Sequence, residues 1–283
     1  MVSQKTDIAS LRRTDDMTIW MGHSSFYLQL QGYRILIDPV FSSFASPVFF
    51  VNKAFPGSNV YSARDFDAID VLILSHDHWG HLDYPSVKAL LPKVKHVVCP
   101  LGVGGYVEHW GLPTDKLIEE DWGTTIPIAA DLAIHILPRQ HFSGHLLKRN
   151  QTEWASFAFI TPTRRGFFSG DSGYGKHFAD IGASFGPFDL ALMENGQYNV
   201  QWHRHHMLLP ETAQASVDVQ AKTVIPMHNG KFALSNHPWD EPYIRLTAES
   251  VGKPYRLLTP KIGEAVYIGS INQSFTKWWE QMT

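Results

Sequence analysis

Three histidines fall within six residues of Ser75-His76-Asp77-His78-Trp79-Gly80-His81-Leu82-Asp83, directly after the apolar run Val71-Leu72-Ile73-Leu74. Neutral imidazole is the commonest protein ligand for zinc-class cations, so three of them where a strand must turn form a metal-site pattern rather than a packing pattern. Other apolar runs also end on donors: His141 follows a run closing at Leu137, Asp171 follows Phe167-Phe168, and His228 follows Val224-Ile225-Pro226-Met227. Ligands at strand ends let a rigid core fix the geometry of a cation while one side stays open to substrate, as metal-assisted catalysis requires. Asp38, leaving Ile35-Leu36-Ile37 just ahead of Pro39, suits either a turn cap or an anchor behind a ligating histidine.

The elements that must position these groups are mostly short strands. Residues 18–21, 26–30 and 33–37 read as strands, the last two joined as a hairpin by Gln31-Gly32. Residues 67–74 feed the histidine cluster, residues 84–91 have the pattern of a short helix with proline near its start, and residues 95–99 return as a strand. A helix is expected at 102–110, ahead of the polar Glu119-Glu120-Asp121-Trp122-Gly123. Further strands are expected at 131–137, 154–161, 166–169, 188–193, 222–227 and 265–268, helices at 210–220 and 238–249, and an aromatic tail at 275–279. Residues 18–137 and 154–268 share a rhythm of strands followed by helices, which suggests two similar halves. Residues 41–55, with Val48-Phe49-Phe50-Val51, form either a greasy lip over a pocket or a packed loop, and packing is favoured.

Composition sets the class. With 283 residues, 44% apolar and 18% charged, the chain fits one globular domain over residues 1–283, with residues 1–16 as an N-terminal arm. A net charge of −3 without basic runs argues against a nucleic-acid partner. Cys99 stands alone, no apolar run reaches the roughly 18 residues of a membrane span, and residues 1–16 are polar, so a cytoplasmic protein is expected. The 15 histidines and 13% aromatic residues suit a metal site beside an apolar pocket.

Trp20-Met21-Gly22-His23-Ser24-Ser25, Leu36-Ile37-Asp38-Pro39-Val40-Phe41, Gln140-His141-Phe142-Ser143, Ser169-Gly170-Asp171-Ser172-Gly173-Tyr174, His206-Met207-Leu208-Leu209-Pro210-Glu211 and Pro226-Met227-His228 follow one another along the chain. With the histidine cluster they resemble the N-acyl-phosphatidylethanolamine-hydrolysing phospholipase D-like branch of the metallo-β-lactamase fold. The resemblance implies an αββα sandwich, two mixed sheets with helices on the outer faces, and a two-metal centre at one edge. On the matched positions it implies that His76, His78 and His141 bind a first cation, that Asp171 bridges, that His81 and His228 bind a second, and that Asp38 stands behind them. It further implies a metal-held hydroxide attacking a phosphodiester or a cyclic ester, in keeping with the lowering of bound water's pKa to about 7 by such cations. Zinc is the expected metal, as one or two ions, with iron and manganese as alternatives.

The cluster departs from the branch's H-x-H-x-D-H pattern at Gly80, which stands in the place of the aspartate. Glycine offers no carboxylate, so the second cation keeps at most His81, His228 and Asp171. Three protein ligands and water still satisfy a tetrahedral catalytic zinc; a weakened second site is expected, and Gly80→Asp is expected to raise its occupancy and the rate. Asp77 is expected to face away, and Asp83 not to act as a replacement. A natural one-metal lineage, a decayed binding protein and an engineered inactivating substitution all account for Gly80; survival of every other matched ligand favours a hydrolase.

His206, in His203-Arg204-His205-His206, is the expected substrate-facing acid or hydrogen-bond donor, catalytic together with Asp171. Phe142, Tyr198 and Trp202 are expected to wall the pocket, Arg204 and Lys231 to neutralise a phosphate, and His23 to be structural or to support the ligands. The expected function is therefore a metal-dependent hydrolase of a phosphodiester, such as a phospholipid, acting on a small-molecule or lipid substrate with peripheral membrane contact. A lactonase-type hydrolase and a non-catalytic metal-binding or regulatory protein are the alternatives.

Overall fold

Short runs rich in β-branched and aromatic residues, punctuated by glycine, proline and aspartate, favour strands over helices. The computed structural model describes residues 1–48, 50–144 and 149–281, and Phe49 of the expected lip lies outside them. In chain order the elements are β1 (Met17–Trp20), β2 (Phe26–Leu30), β3 (Tyr33–Ile37), β4 (Ile69–Ile73), α1 (Tyr84–Leu90), β5 (Val94–Pro100), α2 (Gly104–His109), β6 (Leu117–Glu120), β7 (Thr125–Ala129) and β8 (Leu132–Leu137). There follow β9 (Ser156–Ile160), β10 (Arg165–Phe168), α3 (His177–Phe185), β11 (Leu190–Glu194), α4 (Leu209–Asp218), β12 (Thr223–Met227), α5 (Glu241–Glu249), β13 (Arg256–Leu257) and β14 (Ala265–Tyr267).

Two seven-stranded mixed sheets result, ordered β14-β1-β2-β3-β4-β5-β6 and β13-β12-β11-β10-β9-β8-β7. Each has the same pairing pattern, three antiparallel ladders followed by three parallel ones. The two expected halves thus exist as sheets, but their boundaries differ: β7 and β8 join the second sheet, while β14 returns to pair with β1 in the first. Between the sheets lies the main core, with Phe26, Leu28, Ile37 and Ile73 facing Ile134, Phe157, Phe159 and Ile225. α1 and α2 cover the first sheet through Val87, Leu90 and Val107, and α3 and α4 cover the second through Phe178, Ile181 and Ala215. This is the αββα sandwich that the resemblance implied.

Four elements had no counterpart in the sequence reading: β6, β7, α3 and β13. β6 runs into the stretch read as polar with Glu119 and Glu120, because an edge strand needs only the ladder to β5 and leaves its side chains half exposed. Residues 1–16 are held rather than loose, with Gln4 N donating to Ile262 O and Ile8 buried. The aromatic tail closes the sandwich, Trp278 and Trp279 packing on Tyr243 of α5. Lip residues Val48, Phe50 and Val51 are exposed, Phe50 by 70%, where packing had been favoured. Among the described residues no helix is long and apolar enough to cross a membrane.

Candidate metal centre

Seven strands deliver polar groups to one end of the sandwich. His23 follows β1, Asp38 follows β3, His76 follows β4, His141 follows β8, Asp171 follows β10, Glu194 ends β11 and His228 follows β12. His78 and His81 come from the turn between β4 and α1, which Asp83 closes by accepting from Ser86 N at the start of the helix. Three of these residues, His23, Asp38 and His228, hold left-handed backbone with φ of 53°, 41° and 63°. Such conformations cost about 1–3 kcal/mol each and persist where packing fixes them.

Asp171 is the hub. Its Oδ2 lies 3.0 Å from His81 Nε2, 3.0 Å from His228 Nε2, 3.8 Å from His76 Nε2 and 3.9 Å from His141 Nε2. His78 Nδ1 faces His76 Nε2 at 2.9 Å and His141 Nε2 at 3.2 Å. Burial opposes ionisation of Asp171, but His228 and His81 outweigh it and hold the carboxyl well below the usual range. Burial also depresses His81, yet the Asp171 and Asp38 carboxylates prevail and raise it to about 9. His76 and His141 are driven down by burial and stay neutral.

The outer nitrogens fix which lone pairs point inward. His141 Nδ1 donates to His205 O at 3.0 Å and His228 Nδ1 to Gly196 O at 3.3 Å, since a carbonyl can only accept. His81 Nδ1 meets Asp38 Oδ2 at 2.8 Å, and His76 Nδ1 meets Ser75 Oγ at 3.0 Å, itself donating to Asp38 Oδ2 at 2.5 Å. This is the carboxylate- or carbonyl-supported arrangement of metal-ligating histidines. Asp171 Oδ1 is buried without a hydrogen-bond partner, as an atom reserved for a cation would be. One donor atom each from His76, His78, His141 and Asp171 fits within 4.8 Å, so these residues suit a divalent cation.

Two groups escaped the sequence reading. Glu194 is wholly buried, receives Ser172 N at 2.9 Å and makes a short contact to His206 Nδ1. The only signal was a carboxylate ending an apolar run, Leu190 to Met193. Arg139 is 4% exposed, and its guanidinium lies where a side chain at Gly170 would collide with it. Burial lowers it to about 10 against the carboxylates of Asp171, Asp38 and Glu194, placing a buried cation behind the centre.

The centre opens into a cavity of about 610 Å³ lined by Phe142, Trp202 and His206, as expected, and also by Trp79, Arg149 and Leu234. Tyr198 does not line it; its ring stacks on His237 at 4.4 Å beside a neighbouring depression. Asp77 faces away, accepting from Gly144 N at 2.7 Å. Arg204 is exposed and does not line the cavity, where Arg149 takes its place over the Phe142 ring.

Lys231, expected to meet a phosphate, is 1% exposed and donates from Nζ to Val40 O at 2.5 Å. Burial pulls its ammonium down to about 7, with Asp83 opposing. An unfolded lysine keeps its proton to about 10.4. The unfolded chain therefore binds more protons between those values, and the folded state loses stability as pH falls from about 10 to about 7. Lys231→Met is expected to gain on the parent by about 1.4 kcal/mol per pH unit across that window and no further below it. Denaturant melts of both proteins across the window measure this, and a pH-independent difference would show a solvated ammonium.

A sequence model described as a beta-lactamase superfamily domain matches residues 33–229. An uncharacterised protein of Mycobacterium tuberculosis is 39% identical over 251 residues, covering 87% of this chain and 67% of that protein. The N-acyl-phosphatidylethanolamine-hydrolyzing phospholipase D 1 of Caenorhabditis elegans is 31% identical over 229 residues, covering 76% of this chain and 64% of that protein. The chain thus spans about two thirds of the length of these relatives. Among solved structures, a metallo hydrolase from Ignicoccus hospitalis superposes with a TM-score of 0.66 at 17% identity, covering 88% of this chain and 97% of that one.

Proposed function

The chain belongs to the beta-lactamase superfamily, and from that membership we propose that this metal-dependent hydrolase cleaves a phosphodiester carrying an apolar substituent, as in a phospholipid. The observation that carries the reading is the cavity of about 610 Å³, lined both by the histidine–aspartate cluster and by the apolar side chains of Trp79, Phe142, Trp202 and Leu234. Its size falls in the range of small-ligand sites, and a lining that mixes metal-type donors with aromatic and aliphatic side chains suits an amphipathic substrate. The phospholipase D relative supports the same substrate class. Val48, Phe50 and Val51, exposed on the segment whose Ala45 and Asn52 line the cavity, supply the contact with a lipid surface.

In this reading His76, His78 and His141 would hold one cation and His81 and His228 another, with Asp171 placed beside both groups of nitrogens. When bound, such cations acidify water and offset charge growing on a phosphoryl oxygen. Zinc suits the imidazole-rich donor set. Asp38 orients His81 directly and His76 through Ser75. Arg149 at the cavity wall neutralises the phosphate, the role first assigned to Arg204 and Lys231. His206, stacked on His228 at 5.1 Å with Nδ1 engaged by Glu194, offers its Nε2 to move a proton to or from substrate.

Zinc-loaded protein is to be assayed on a chromogenic phosphodiester, on phospholipid in mixed micelles and on a lactone panel. Turnover of both phosphodiesters, absent from lactones, is the expected result. Lactone opening without phosphodiester cleavage would replace this reading by a lactonase, and saturable phospholipid binding without turnover of any substrate would replace it by a binding protein.

A further inference from the structure

The space that a motif aspartate would need at position 80 is already filled. A Cβ built on Gly80 would lie 2.7 Å from His23 Nε2, closer than real Cβ atoms approach another group. His23 is 0% exposed, and neither ring nitrogen has a hydrogen-bond partner. A buried imidazole with both nitrogens unsatisfied costs roughly 1–3 kcal/mol or more unless something absent from the protein chain engages it.

The position of His23 is not loose. Its carbonyl accepts from Trp20 Nε1 at 2.9 Å and from His228 N at 3.0 Å, and its amide donates to Asn229 O at 3.0 Å. His23 and His228 are therefore clamped to each other through backbone, each in left-handed conformation. Their rings lie 4.3 Å apart, with His81 at 5.6 Å from His23 and Phe232 closing the far edge at 5.3 Å. One donor atom each from His23, His81 and His228 falls within 4.8 Å of the others.

We infer that His23 is a ligand of the second cation, in the place of the carboxylate that Gly80 lacks. Gly80 and His23 then act at one place: with no side chain at position 80, the volume there is left to the His23 ring, carried on the β1–β2 turn. The inference rests on the metallohydrolase reading above and gives His23, expected to be structural or to support the ligands, a direct role instead. It also reverses the expectation for Gly80→Asp, because the added side chain would evict a ligand as it supplies one. A neutral nitrogen in place of an anionic oxygen leaves the second site more positive and shifts its preference toward zinc or cobalt over manganese.

The test strips the full-length protein with a chelator and titrates it with Co²⁺, reading visible d–d absorption and bound metal by mass spectrometry. The parent should bind two equivalents. His23→Ala should keep the first equivalent, which also reports an intact fold, and weaken the second by at least about a hundredfold, at or beyond the range for losing a group that only supports a ligand. Gly80→Ala, which leaves His23 in the chain but takes its space, should behave alike; His23→Ala/Gly80→Asp should recover the second equivalent. A parent-like second equivalent in His23→Ala, or a parent that binds only one, overturns the role of His23 and leaves the first site standing. Should His23→Ala lose both equivalents, Gly80→Ala decides: one equivalent supports the inference, and two or none overturns it. A parent that binds no Co²⁺ at all refutes the metallohydrolase reading itself.

Discussion

Asp171→Asn is expected to strip both cations from the protein and to lower phosphodiester turnover at least about a thousandfold, the rate equivalent of about 4 kcal/mol of lost charge stabilisation. The basis is the position of one oxygen: Oδ2 lies within 3.9 Å of the inward nitrogens of His76, His81, His141 and His228. An amide preserves shape, so the core around it should pack as before. It removes the charge, however, and can turn an N–H donor toward lone pairs that Asp38, His205 O and Gly196 O have aimed inward. Thermal melts separate loss of metal from loss of fold, because a ligand that binds only the native state raises the melting temperature. Added zinc should raise that of the parent and leave that of the variant unchanged. A variant that retained both cations and parental turnover would remove Asp171 from the bridge.

Asp38→Asn is expected to act on the second cation without touching it. Asp38 is wholly buried and accepts three hydrogen bonds, from Ser75 N at 2.8 Å, Ser75 Oγ at 2.5 Å and His81 Nδ1 at 2.8 Å. Asparagine tolerates the left-handed backbone at this position, so the turn can survive. It cannot satisfy all three donors: with its oxygen on Ser75 N, its amide group faces His81. The imidazole must then accept at Nδ1 and carry its proton on Nε2, where a cation needs a lone pair. Misplacing a tautomer in this way should cost at least about a hundredfold in affinity for the second cation and in turnover. The first cation should be lost far less, since His78 and His141 do not depend on Asp38. Asp38→Ala, which leaves all three donors unmet, should also destabilise the fold by about 3–5 kcal/mol. Equal loss of both cations in Asp38→Asn would show that its effect runs through Ser75 and His76 instead.

Much of the fold was legible because the strands follow local chemistry. The hairpin at Gln31-Gly32 and the apolar runs before His76, Asp171 and His228 are written in consecutive residues, and the structure brings those donors together as their strand ends suggested. What escaped depends on neighbours distant in the chain. β6 is short, ends in two glutamates and is held by its ladder to β5, and α3 begins without a capping side chain. The catalytic surroundings divide the same way. Asp38 could be read from its place after β3, whereas Glu194 and Arg139 acquire meaning only when folding buries them beside Asp171. Lys231 and Tyr198 carried suitable chemistry in sequence but point elsewhere, one to a buried carbonyl and the other onto His237. His23 was visible as a residue type, yet nothing in the sequence indicates that it meets the space above Gly80.

The pairing of β14 with β1, Met17 against Tyr267, ties the order of synthesis to the maturation of the centre. On the ribosome, β1 and the His23 turn emerge early and His228 late, but the outer partner of β1 is made later still. Until residues 265–267 are free, β1 remains an open edge, the kind of surface that recruits other extended chains. A nascent chain stalled in that interval would hold every donor described here, with the strand that carries His23 not yet anchored on its outer side. The turn that carries His23 is therefore held on both sides only once residues 265–267 have paired with β1.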